Sequence, residues 1–215
     1  MVGMRRPARP EMHYIDFVAI GAGTASTTWA TLPLCDSPTQ GSSQQSRFGN
    51  QIVVRKIECW VIAHGVPDSA VDYYNDLRCI FGWFKAPRGS GAPTAAGVNG
   101  IMDNTFLTAP DSPYSNEFRS NWDKIKDETY KLSTYSTAAA PYTTISSGGD
   151  GGRNFVQTRH YMFSFGPKGK VCKMQANAGS AGDWETNIPF MCYASDSAAV
   201  SHPSLDVRTR LYFEP

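Results

Sequence analysis

Short segments rich in aromatic and β-branched residues recur from residue 13 to residue 213, and no stretch between them carries the 3.6-residue apolar period of an amphipathic helix. Alternating β/α units are therefore disfavoured, and the pattern points to strands packed as an antiparallel sandwich. Residues 13–20 and 28–34 open the series. Gln51–His64 is long and mixed. It places Ile52, Val54, Trp60 and Ile62 on one face and Val53, Ile57, Cys59 and Val61 on the other, as in a central strand covered on both sides. Leu77, Cys79, Phe81 and Trp83 then alternate with Arg78, Ile80, Gly82 and Phe84. Residues 122–132 are charged, and Lys124, Lys126, Glu128 and Tyr130 suit either an exposed helix or an edge strand; Thr129, Tyr130 and the Thr/Ser-rich stretch after them favour the strand. Residues 154–165 put Phe155, Tyr161, Phe163 and Phe165 on one face, and a short strand at 170–175 follows the turn Gly166-Pro167-Lys168-Gly169. Ile188–Ser195 comes next. In residues 205–213, Leu205, Val207, Leu211 and Phe213 face one way and Arg208, Arg210 and Tyr212 the other.

The series predicts an all-β domain of about eight antiparallel strands over residues 13–215, preceded by a short arm at 1–12. Two long connections, 86–121 and 133–153, suit a jelly roll better than a compact enzyme. The second is dominated by Ser, Thr, Ala and Gly and is expected to be exposed.

Charge is unevenly spread. Arg5, Arg6 and Arg9 give the first ten residues +3, and the remaining seventeen cations meet nineteen carboxylates, net −2. The arm is thus the basic element, suited to sequence-independent contact with phosphate. No apolar run reaches the length of a membrane span, so no membrane partner is expected. Asp16 interrupts the one stretch that could serve as the core of a secretory leader, and no leader is expected. Five cysteines, odd in number and without a C-x-x-C pair, read as reduced and mostly buried thiols.

Motifs for catalysis are missing from the chain. Val18-Ala19-Ile20-Gly21-Ala22-Gly23 imitates the start of a dinucleotide-binding fingerprint, but Leu32-Pro33-Leu34 follows instead of a helix, and a Gly-rich turn between strands accounts for it. His13, His64, His160 and His202 are scattered, with none at metal-ligand spacing. Asp103, Asn104 and Asp111 could supply oxygen ligands for a structural calcium, although acids are common in loops; no other cofactor is expected. Asp127 and Glu128 are adjacent, so on a strand they point to opposite faces and read as surface charges.

Four segments together resemble the single jelly-roll coat proteins of small circular single-stranded DNA viruses, with kinship to satellite tobacco necrosis virus-like coats. They are Ser46-Arg47-Phe48-Gly49-Asn50-Gln51-Ile52 leading into a long strand, the charged strand from Trp122 to Leu132, Arg153-Asn154-Phe155 opening an aromatic strand, and residues 187–196 followed by 207–213. The resemblance implies an eight-stranded antiparallel jelly roll and no enzyme activity. It implies a homo-oligomer in a closed icosahedral shell, about 60 copies at T=1. The shell would hold a single-stranded genome, DNA favoured over RNA, with the arm inside. Localisation would be the virion, and the host nucleus or cytoplasm during assembly. Nucleic-acid contacts are expected from Arg5, Arg6, Arg9, Arg47, Arg55 and Lys56, with Lys124 and Lys126 as further inner-surface cations. The arm is shorter than such coats often carry. The main alternative is a monomeric carbohydrate-binding β-sandwich using Trp29, Trp184 and Tyr142 as stacking platforms. A cupin-type enzyme would need clustered histidines, which the chain lacks.

Overall fold

In a computed structural model, residues 11–65, 74–85, 102, 111–114, 122–133, 155–175, 184–196 and 202–215 are described. Ten strands follow in order: β1 His13–Thr24, β2 Ala30–Pro33, β3 Gln51–His64, β4 Tyr74–Phe84, β5 Trp122–Ser133, β6 Val156–Ser164, β7 Lys170–Met174, β8 Trp184–Thr186, β9 Ile188–Ser195 and β10 Ser204–Glu214. They form two antiparallel sheets. The first runs β1-β10-β3, with β6 and β7 both on the far edge of β3 and β8 beyond β7. The second runs β2-β9-β4-β5.

Strands from the two ends of the chain thus pair in the first sheet, and the connections pass back and forth between sheets. The strand order is that of a jelly roll. It comes to the expected eight strands once β6 and β7 are counted together and the three-residue β8 is set aside. β6 occupies the Lys56 to His64 half of β3 and β7 the Gln51 to Val54 half, so they are one edge strand interrupted by a turn. That turn closes through Gly169 N–H donating to Gly166 O at 3.2 Å, and both glycines have positive φ, 65° and 62°. The three-residue β8 has no counterpart in the sequence reading.

The core lies between the sheets. From the first come Cys59, Val61 and Ala63 of β3 and Leu205, Val207, Leu211 and Phe213 of β10, and from the second come Leu77, Cys79 and Phe81 of β4, with Met191 and Tyr193 of β9. The aromatic strand β6 adds Tyr161, stacked on Phe163 at 5.8 Å and hydrogen-bonded through its hydroxyl to Tyr130 of β5 at 2.8 Å. Phe155, expected on that face, is largely exposed. All five cysteines are free and buried, and burial pushes the Cys59 thiol up to about 12.

Three expectations need correction. Arg55 is an extra residue in β3: Tyr212 pairs with Lys56 and Phe213 with Val54, leaving Arg55 unmatched. This bulge exchanges the faces of the strand. Ile52 and Val54 therefore share the core with Ile57, Cys59 and Val61, while Val53, Trp60 and Ile62 look outward. The glycines at 21 and 23 form no turn; they lie inside β1, where the pairing with β10 shifts between Ala19 and Gly23. Asp127 is more than a surface charge, because the outer face of the second sheet is covered.

Among the described residues, that cover comes from Met102 and residues 111–114, between β4 and β5. Met102 and Tyr114 form an antiparallel bridge, and Met102 is fully buried. Leu77, Cys79 and Phe81 point inward, so Arg78 and Ile80 point outward beneath the cover. Arg78 donates to Asp127 through Nε at 3.0 Å and Nη2 at 2.7 Å, and to Ser112 O at 2.8 Å. The Tyr114 hydroxyl also donates to Asp127. Burial opposes ionisation of Asp127, but hydrogen bonds from Arg78 and Tyr114 and the charges of Arg78 and Lys124 outweigh it, holding the carboxyl below its ordinary value of 3.8. All eight residues of β9 are buried as a result.

Candidate nucleic-acid interface

The outer face of the first sheet is open, and its side chains form rows because antiparallel partners project together. Tyr14, Tyr212, Lys56 and Ser164 make one row across β1, β10, β3 and β6. Asp16, Arg210, Glu58 and Met162 make the next, and Val18, Arg208, Trp60 and His160 the third. A groove of about 530 Å³ runs over the last two rows, lined by Asp16, Val18, Trp60, Ile62, Arg208 and Arg210 among others.

Electrostatics on this face are mostly paired. Arg210 grips Asp16 in a bidentate contact at 2.5 and 2.8 Å and lies over the Tyr14 ring at 4.9 Å. Its hydrogen bonds hold the Asp16 carboxyl below the usual range. Lys56 donates to Glu58 at 2.7 Å and sits 4.0 Å from the Tyr212 ring centroid, and that hydrogen bond is the main cause lowering the Glu58 carboxyl. Arg55 is paired with both carboxylate oxygens of Glu214 at 2.7 Å, and its Nη1 also donates to Pro167 O. His64 meets Asp206 at 3.2 Å. Arg208, in the middle of the third row, is exposed and makes no ion pair among the described residues. Beside it the Trp60 and His160 rings are stacked, 4.8 Å apart and within 4° of parallel.

The sequence-predicted cations do not gather on one surface. Arg5, Arg6 and Arg9 lie outside the described residues. Arg55 and Lys56 sit at the β3 bulge, on the open face. Lys124 and Lys126 are on β5, the edge of the other sheet; Lys124 lies over the Tyr114 ring at 4.7 Å and Lys126 pairs with Glu128 at 3.0 Å. Arg47 is fully buried, and this corrects its assignment as a phosphate contact. Its Nε donates to Pro38 O at 2.9 Å, its Nη1 to Gly49 O and to Asn50 Oδ1, and its Nη2 to Gln175 O at 2.8 Å. It pins the connection between β2 and β3 against the end of β7, where main-chain carbonyls need donors.

Of the calcium candidates, Asp103 and Asn104 lie outside the described residues, and no cluster of potential metal ligands occurs among the described ones. The aromatic platforms assigned to a sugar-binding reading are also corrected: Trp29 and Trp184 are buried, the latter donating its indole N–H to Cys35 O at 3.2 Å. Tyr142 lies outside the described residues. Arg208, Arg210 and Tyr212 were visible in the sequence as one side of a strand, but nothing there joined them to Trp60 and His160.

No family model and no curated protein matches this sequence. Solved structures similar to it include a chain of Desmodium yellow mottle tymovirus, at 8% identity and a TM-score of 0.34, covering 99% of this chain and 91% of that one. A chain of a KBV particle activated at acidic pH is similar at 12% identity and a TM-score of 0.35, covering 94% and 68%. A chain of the full particle of Israeli acute paralysis virus, heated to 63 degrees, is similar at 11% identity and a TM-score of 0.33, covering 95% and 68%. These superpositions are loose, and the jelly-roll assignment stands on the pairing of the strands themselves.

Proposed function

We propose that this chain is a viral coat protein whose work is assembly rather than catalysis. Copies associate through closed symmetry into an icosahedral shell around a single-stranded genome, DNA in preference to RNA, with Arg5, Arg6 and Arg9 on the inside. The observation that supports this best is the strand order. It makes a jelly roll, an architecture used by viral coats and also by lectin-type domains and cupins. An arm of +3 precedes β1 in the sequence. Fold alone does not decide function. The sugar-binding alternative loses two of its three stacking aromatics to burial. Arg55 and Lys56 remain candidate contacts, acting from within ion pairs.

Light scattering on the purified protein, with absorbance at 260 and 280 nm across the peak, tests this reading. A megadalton species carrying nucleic acid is expected. A persistent monomer under varied salt, pH and calcium would overturn it. Replacing Arg5, Arg6 and Arg9 together by Ala is expected to lower packaged nucleic acid while sparing the shell.

A further inference from the structure

We infer that the groove across β1, β10, β3 and β6 is a nucleotide-binding site on the body of the protein, separate from the arm. Its occupant is a segment of single-stranded nucleic acid, with a base against Trp60 and a phosphate on Arg208. This rests on the coat reading only for the source of the strand.

Three features of the groove converge on that chemistry. Arg208 supplies an exposed guanidinium with no carboxylate partner among the described residues, a forked donor matched to a phosphate. It is a direct cross-strand neighbour of Trp60, and Trp60 is already stacked on His160. Aromatic faces accept any base, while a cation beside them follows the backbone. Finally, the groove has room, at about 530 Å³, and its floor is apolar where it needs to be: Val18 and Ile62 border it, and Val18 is 54% exposed.

The acids nearby do not cancel this. Asp16 is held by Arg210, Glu58 by Lys56 and Tyr212, and Asp206 by His64. Those same engagements argue against a sugar, which would require free carboxylates or amides for its hydroxyls. A single site of this kind is weak, and repetition over many copies is what would give it effect on one polymer.

Trp60 also provides the readout. The other four tryptophans, Trp29, Trp83, Trp122 and Trp184, are buried, so a quencher at the surface reaches Trp60 first. The protein is titrated at low salt with a short oligothymidylate and, in parallel, an oligouridylate of equal length, following tryptophan emission. Particle formation is followed by light scattering in the same samples. Saturable quenching is expected with both, and Arg208→Gln is expected to weaken it roughly tenfold, the loss of one charge-assisted phosphate contact. His160→Ala, at an exposed position, is expected to reduce the quench and leave assembly intact. Arg208→Lys should recover part of the affinity and serves if the glutamine variant folds poorly. Native-like quenching in Arg208→Gln and His160→Ala, with particles still formed, overturns the groove and leaves the coat reading standing. Oligonucleotide binding at the groove by a protein that stays monomeric supports the groove and overturns the coat. Binding of only one of the two oligomers would assign the strand chemistry.

Discussion

The outer faces of the two sheets share one backbone geometry and meet their surroundings in opposite ways. On the first, Val18, Met162, Arg208 and His160 stand open, and most charges are neutralised by neighbours on the same strand or the next. On the second, Met102 and residues 111–114 of the connection from β4 to β5 lie over the sheet and are fastened through Arg78, Asp127 and Tyr114. The open face spends its side chains on what can approach from outside. The covered face commits its own to holding the fold. Mutations should therefore cost stability on the second sheet and ligand contact on the first.

The largest separation is expected from Phe190→Ala. Phe190 is fully buried, lies edge-on to Phe84 at 5.9 Å and fills the space that Gly82 leaves, so a cavity there should cost about 3–5 kcal/mol in urea unfolding. A loss under about 1 kcal/mol would mean that the second sheet is loosely packed.

Next comes the fastening itself. Asp127→Ala leaves the Arg78 guanidinium and the Tyr114 hydroxyl short of their acceptor and should cost about 1–3 kcal/mol. Because the carboxyl is held below 3.8 when folded, its contribution is complete at neutral pH. It drains as pH falls from that value through the lower folded one. The variant's stability deficit should accordingly shrink in acid, and a deficit that stays constant to pH 2 would break the assignment.

A smaller contrast tests the interrupted edge strand. Gly166 and Gly169 both have positive φ, but a methyl group at Gly166 meets open space, whereas at Gly169 it would meet Val53 Cγ1 at 2.5 Å and Val54 O at 2.8 Å. Gly166→Ala should cost about 1 kcal/mol from backbone strain alone, and Gly169→Ala clearly more; equal losses would show that the turn shifts freely. The smallest effect is expected on the open face, where Asp16→Asn removes an exposed ion pair and should change stability by less than about 1 kcal/mol. Thermal melts at two salt concentrations would detect the change.

Where a strand keeps one face in water, the alternation of its residues was readable. β10 matches its expected faces residue by residue. Ile188–Ser195, buried on both faces, was placed by its apolar run alone, with its observed limits. β3 was misread because a single bulged residue, Arg55, reverses the faces without leaving a mark in polarity. Asp127 was misread for a related reason: its partners Arg78, on the neighbouring β4, and Tyr114, thirteen residues before it, meet it only in the folded chain, which no local pattern records. The candidate groove failed to emerge in the same way. Arg208 was assigned outward, but Trp60 was grouped with Ile52 and Val54, on what proved to be the wrong side of the bulge. Arg47 shows the limit of residue type as a guide, since a guanidinium serves carbonyls as readily as phosphates.

The five free thiols carry a further consequence. Cys59 and Cys172 sit in the first sheet, Cys79 and Cys192 in the second, and Cys35 between β2 and β3, all sealed and all with burial as the main cause raising their pKa. Only a thiolate reacts quickly with an alkylating reagent. Each cysteine is thus a clock that runs only while its own neighbourhood is open. Comparing the five rates in one sample would time the breathing of the two sheets separately, without altering a single residue.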